Sequence, residues 1–144
     1  DRLALFSIQA PIFLVRKQVT NEFDEIDWIN EVVVDYDQGF DLTKLLDWCA
    51  EQEINNLWVE SGSRLAASFI EQSLFDELIV YMAPKIMGAT AQELLPIGPL
   101  TEMTETIDLN LLNLTQVGSD IRLTYQPKSL TNNSHTNKII SEKQ

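Results

Sequence analysis

The chain has 144 residues, 44% of them hydrophobic and 22% charged, and its ten basic and twenty-two acidic side chains give a net charge of −12. That is the length of about one domain of ordinary soluble composition, able to bury a core without disulfide staples. A lone cysteine, Cys49, excludes an internal disulfide framework and a thiolate-built zinc site and fits the reducing cytoplasm, while the acid excess argues against nucleic acid or an anionic membrane as partner.

The chain opens Asp1-Arg2-Leu3, with neither an initiator methionine nor a basic leader before an apolar segment, and so reads as a piece of something longer. Residues 12–15 and 31–35 are short β-branched or aromatic runs that predict buried strands, with a polar connection over residues 20–30. Gln38-Gly39-Phe40 predicts a turn. Asp41 then stands as an N-cap before Leu42, Leu45, Leu46 and Cys49, whose spacing predicts a helix to about Glu53. Cys49 falls on its apolar face and reads as a small buried hydrophobe. Eleven acids between Glu22 and Glu53 stand against Lys44 alone, scattered as a solvated face rather than gathered as a metal site.

Leu57-Trp58-Val59 predicts a strand closing on Glu60, Ser61-Gly62-Ser63 a tight turn, residues 64–72 a helix, and residues 78–82 a further buried strand. Strand, helix and strand in that order predict a βαβ unit with a parallel pair. Asp76-Glu77 is read as surface charge, because neighbours on a strand point to opposite faces. Gly88 and Pro96-Ile97-Gly98-Pro99 mark a surface excursion, and residues 109–117 and 121–125, joined through Gly118-Ser119-Asp120, predict an antiparallel hairpin. Residues 1–127 therefore read as one domain and residues 128–144 as a flexible polar tail. The only histidine, His135, lies in that tail, and no apolar run approaches the roughly 20 residues that cross a membrane.

Chemistry points to Glu60-Ser61-Gly62-Ser63-Arg64, between the end of a strand and the start of a helix. Helix N-termini present free amides and the positive end of the macrodipole, both suited to phosphate. Gly62 permits close approach, Ser63 can cap the helix or donate to a phosphate oxygen, Arg64 can neutralise another, and Glu60 can accept from hydroxyl or amino groups. The same residues also make an ordinary strand–turn–helix with Ser63 as N-cap.

Three blocks carry a family resemblance: residues 54–66 (INNLWVESGSRLA), residues 74–88 (LFDELIVYMAPKIMG) and residues 117–123 (VGSDIRL). In order and spacing they resemble the C-terminal reductase domain of the bifunctional riboflavin-biosynthesis deaminase–reductase, the RibD type. The resemblance implies a dihydrofolate-reductase-like α/β fold: a mostly parallel sheet flanked by helices and finished by an antiparallel hairpin. It implies NADPH-dependent reduction of the ribosyl group of 5-amino-6-(5-phosphoribosylamino)uracil to ribityl, by hydride delivery to the sugar C1 in its ring-opened form. It makes Glu60 a substrate contact and Gly62, Ser63, Arg64, Leu65, Ala66, Ala67 and Ser68 the NADPH turn. Ser61 replaces the family's usual first glycine, so backbone strain is expected there if that position needs an unusual conformation. With no core histidine, no proton donor is assigned.

The resemblance further implies a homodimer, with the apolar hairpin of residues 109–125 as candidate surface, and a chain lacking the family's first strands and its zinc-binding deaminase domain. Zinc is expected only in that missing domain, and residues 1–144 alone are expected to be a poor catalyst. Two alternatives accompany this reading: a reductase of the same fold acting on another pyrimidine or pteridine, and a non-catalytic interaction domain.

Overall fold

The computed structural model describes residues 10–20, 22–37 and 39–128; the expected tail beyond Lys128, with His135, lies outside them. The described chain forms two compact units that divide between Trp58 and Val59.

In the first unit, β1 (Ile12–Arg16) and β2 (Ile29–Val33) pair in parallel, Ile12 opposite Ile29 and Arg16 opposite Val33. β1 falls on the expected run 12–15, whereas β2 lies two residues ahead of the expected run 31–35. Helix α1 (Leu42–Glu51) starts where the sequence places it: the Asp41 carboxylate accepts from the Lys44 amide at 3.0 Å and caps the first turn. Leu42 is only 2% exposed and is buried with Ile26, Ile29, Val32, Val34 and Cys49. Trp48 of α1 meets Phe13 of β1 edge-on, with ring centroids 5.0 Å apart. This unit's core thus draws Ile29 and Val32 of β2 and the flanking Ile26 and Val34 together with the apolar positions Leu42 and Cys49 of α1.

The acidic stretch is less passive than a solvated face. Glu31 on β2 accepts from Arg16 Nε at 3.1 Å, from the Thr20 amide at 2.8 Å and from the Thr20 hydroxyl at 2.6 Å. Arg16 also reaches Glu22 at 3.1 Å. Lys44 donates to Asp35, which holds the Asp35 carboxyl below its usual range and the Lys44 ammonium above its own.

In the second unit, α2 (Ser63–Glu71) buries Ala67, Phe69 and Ile70, the apolar positions of its 3.6-residue repeat. Both helices end alike. After α1 the residue in left-handed backbone is Glu53 (φ 60°), with Ile54 N donating to Cys49 O and Glu53 N to Ala50 O. After α2 it is Ser73 (φ 56°), with Leu74 N donating to Phe69 O and Ser73 N to Ile70 O. Each pair of bonds is a Schellman closure that satisfies the last carbonyls, made without glycine.

A three-stranded antiparallel sheet follows, in the order β3 (Leu78–Met82), β5 (Asp120–Pro127), β4 (Leu109–Val117). Val117 pairs with Asp120, so the hairpin turns on Gly118 and Ser119 alone. Gly118, at φ 61°, takes the first central position, as a type II′ turn requires. Opposed residues share a face, which puts Leu78, Val80 and Met82 of β3 with Ile121, Leu123 and Tyr125 of β5. An irregularity between Leu111 and Asn113 brings Leu111 and Leu114 of β4 onto that same face. Met82 and Leu114 there are 51% and 59% exposed.

The expected βαβ unit is not formed among the described residues. Residues 57–59 carry no strand and Trp58 is 75% exposed, while β3 pairs antiparallel with β5 rather than parallel across α2. The parallel pairing of the described chain is that of β1 with β2. An apolar triplet becomes a strand only when a neighbouring backbone takes up its N–H and C=O groups, and residues 57–59 have no such pairing among the described residues. No described helix is long and apolar enough to cross a membrane.

Candidate functional site

The turn singled out in the sequence becomes a helix start of unusual openness. The N-cap of α2 is Gly62 (φ −67°, ψ 162°) rather than the expected Ser63, and it has no side chain to cap with. The first intrahelical bond runs from the Ala66 amide to the Gly62 carbonyl at 3.2 Å. The amides of Ser63, Arg64 and Leu65 therefore precede the helical ladder with no side-chain cap and no acidic residue in the first turn. Contrast α1, where Asp41 fills the same role with a carboxylate. A Cβ built on Gly62 meets nothing within 4 Å, so the approach to these amides is open.

Beside the amides lies a shallow groove of about 350 Å³ lined by Gly62, Ser63, Arg64, Leu65 and Gln92. Gln92 comes from the excursion that follows β3, and its Nε2 donates to Ser63 Oγ at 2.8 Å. At the other end of α2, Glu71 Oε1 accepts from the Gly98 amide at 3.0 Å. The excursion is thus tied to the helix at both ends. Gln92 lies 29 positions beyond Ser63, and no periodicity or motif in the sequence marks it.

Four of the seven residues expected to hold the cofactor line this groove: Gly62, Ser63, Arg64 and Leu65. Ala67 is buried, and the Ser68 hydroxyl donates back to the Arg64 carbonyl at 3.1 Å; neither they nor Ala66 line it. Glu60 is exposed on the approach to the helix. Ser61 donates from its hydroxyl to the Gly62 carbonyl at 3.3 Å. Positive φ among described non-glycine residues occurs at Glu53 and Ser73, not at Ser61, and the described peptide bonds are trans. The conditional strain at Ser61 is not found. Asp76 and Glu77 are exposed ahead of β3, as expected of surface charge. No group of three or more potential metal ligands occurs among the described residues.

The donor set suits an anion. The uncapped amides and the helix dipole meet at an open groove that Arg64 also lines, the arrangement that takes a phosphate. Among known families, the RibD C-terminal domain matches residues 4–123.

The chain belongs to that family.

The RibD riboflavin-biosynthesis protein of Haemophilus influenzae is 34% identical over 126 residues, which cover 88% of this chain and 33% of that protein. The 5-amino-6-(5-phosphoribosylamino)uracil reductase of Buchnera aphidicola is 38% identical over 96 residues, 67% of this chain and 46% of that protein. The chain thus spans a third to just under half the length of these relatives. In structure it resembles the RibD of Acinetobacter baumannii with a TM-score of 0.70 at 23% identity, over 80% of this chain and 30% of that one. The fold is accordingly the dihydrofolate-reductase-like fold of the RibD reductases.

Proposed function

We propose that this chain is part of an NADPH-dependent reductase that converts the ribosyl group of 5-amino-6-(5-phosphoribosylamino)uracil to ribityl in riboflavin biosynthesis. The observation that carries the reading is the uncapped first turn of α2 beside a donor-lined groove, in a chain of the RibD C-terminal family. The substrate is carried over from the activity for which the Buchnera relative is named.

In this reading the amides of Ser63, Arg64 and Leu65 bind an anionic group of the dinucleotide, and the Arg64 guanidinium neutralises part of its charge. Leu65, exposed on the groove's rim, gives the ligand an apolar contact. Glu60, just ahead of the turn, accepts hydrogen bonds from substrate hydroxyl or amino groups. Ala66, Ala67 and Ser68 serve by shaping the helix that presents the amides. When bound, NADPH supplies the hydride.

The exposed apolar face of the β3–β5–β4 sheet supports a homodimer, and the composition supports a cytoplasmic enzyme without nucleic acid or membrane partners. The test of the function is loss of NADPH absorbance when the intact protein meets the phosphoribosylamino-pyrimidine. Turnover with that substrate and not with folate analogues is expected, and NADPH consumption with folates alone would reassign the substrate.

A further inference from the structure

We propose that Gln92 is a positioning residue of this groove: by donating its amide to Ser63 Oγ, it commits the Ser63 hydroxyl to donate its own proton to the anion. The proposal rests on the reading of the α2 N-terminus as the dinucleotide turn and deepens it.

A carboxamide –NH2 can only donate, whereas a serine hydroxyl has one proton and two lone pairs. With Gln92 Nε2 at 2.8 Å occupying a lone pair, the hydroxyl keeps its proton free for another acceptor. An oxygen that accepts one hydrogen bond also donates a second more strongly. The Ser63 hydroxyl then joins the uncapped amides as a donor in a groove that Arg64 also lines. Without Gln92 the hydroxyl is a free rotor, as ready to accept as to donate. The second tie, Glu71 to the Gly98 amide, keeps the loop along α2 and holds Gln92 where it can act.

The experiment is an NADPH fluorescence titration of the intact protein and of Gln92→Ala, Gln92→Glu, Ser63→Ala and the two double variants, with thermal melts alongside. Gln92→Ala is expected to weaken binding roughly threefold to tenfold, the worth of one ordinary hydrogen bond. Gln92→Glu keeps the shape but accepts where the amide donated, drawing the Ser63 proton to itself, and is expected to weaken binding more than Gln92→Ala. In a Ser63→Ala background Gln92→Ala should add nothing, and Gln92→Glu should retain only the cost of its charge. A merely structural Gln92 would give a mild Gln92→Glu and losses that add to those of Ser63→Ala. Additive losses, or a Gln92→Ala that binds like the parent, overturn the proposal while leaving the dinucleotide turn in place. A parent protein that does not bind NADPH overturns both.

Discussion

Gly62→Asp separates the stability of α2 from its proposed work. Gly62 sits at φ −67° and ψ 162°, a conformation open to any residue, and a side chain there meets nothing within 4 Å. Asp41 shows what a carboxylate does at the equivalent position of α1, accepting from the third amide of the helix at 3.0 Å. The carboxylate introduced by Gly62→Asp should cap α2 in the same way. Capping gains a few tenths of a kcal/mol over glycine, and the reduced freedom of the unfolded chain and the helix dipole each add comparable amounts. Together they come to about 1 kcal/mol, or roughly 3 °C in melting temperature for a chain of this size. The same carboxylate occupies an amide the ligand would use and sets a negative charge in the groove. Losing one hydrogen bond to a charged group weakens NADPH binding roughly tenfold to a hundredfold. Thermal melts and NADPH titration of the intact protein read both effects. A more stable variant that still binds NADPH like the parent would refute the role given to these amides. A less stable one would refute the cap geometry.

Two further outcomes follow from the ion pairs and the short turn. Glu31→Ala removes the acceptor of Arg16 Nε and of both Thr20 donors, and should cost about 1–3 kcal/mol in denaturant unfolding. Arg16→Ala made afterwards should cost less than in the parent, only its contacts with Glu22 and Phe23 remaining to be lost, and an equal cost in both backgrounds would show the Arg16–Glu31 pair to contribute nothing. At the 3₁₀ turn Met103–Glu105, the amides of Glu102 and Thr101 and the Thr101 hydroxyl hold the Glu105 carboxyl below the ordinary glutamate range. A carboxyl lowered in the folded state stabilises fully above its unfolded pKa and loses that contribution as the pH falls through the folded one. The stability difference between parent and Glu105→Gln should therefore hold at neutral pH and vanish in acid. A difference that grows in acid contradicts the assignment.

The elements legible in the sequence are those whose cause is local. Asp41 with Leu42, Leu45, Leu46 and Cys49 sets α1 to within about two residues, and Gly118 sets the hairpin turn. The start of α2 was legible to one residue: Ser63, the better capping side chain, is the first helical residue, and the cap falls to Gly62 because the chain there is still extended. Leu57-Trp58-Val59 misleads because strand formation depends on a partner backbone, which the residues themselves do not reveal. The Arg16–Glu31–Thr20 cluster and the Gln92–Ser63 bond were not legible either. Each joins residues that the fold alone brings together, with no spacing to betray them. Of the site, the sequence contained the helix start and its donors, and lacked the loop that completes the groove.

The most direct test is a crystal structure of the intact protein with NADPH bound. A phosphate of the dinucleotide within hydrogen-bond distance of the Ser63, Arg64 and Leu65 amides, and of the Ser63 hydroxyl, is the result expected. Density for the dinucleotide away from the first turn of α2 would contradict it.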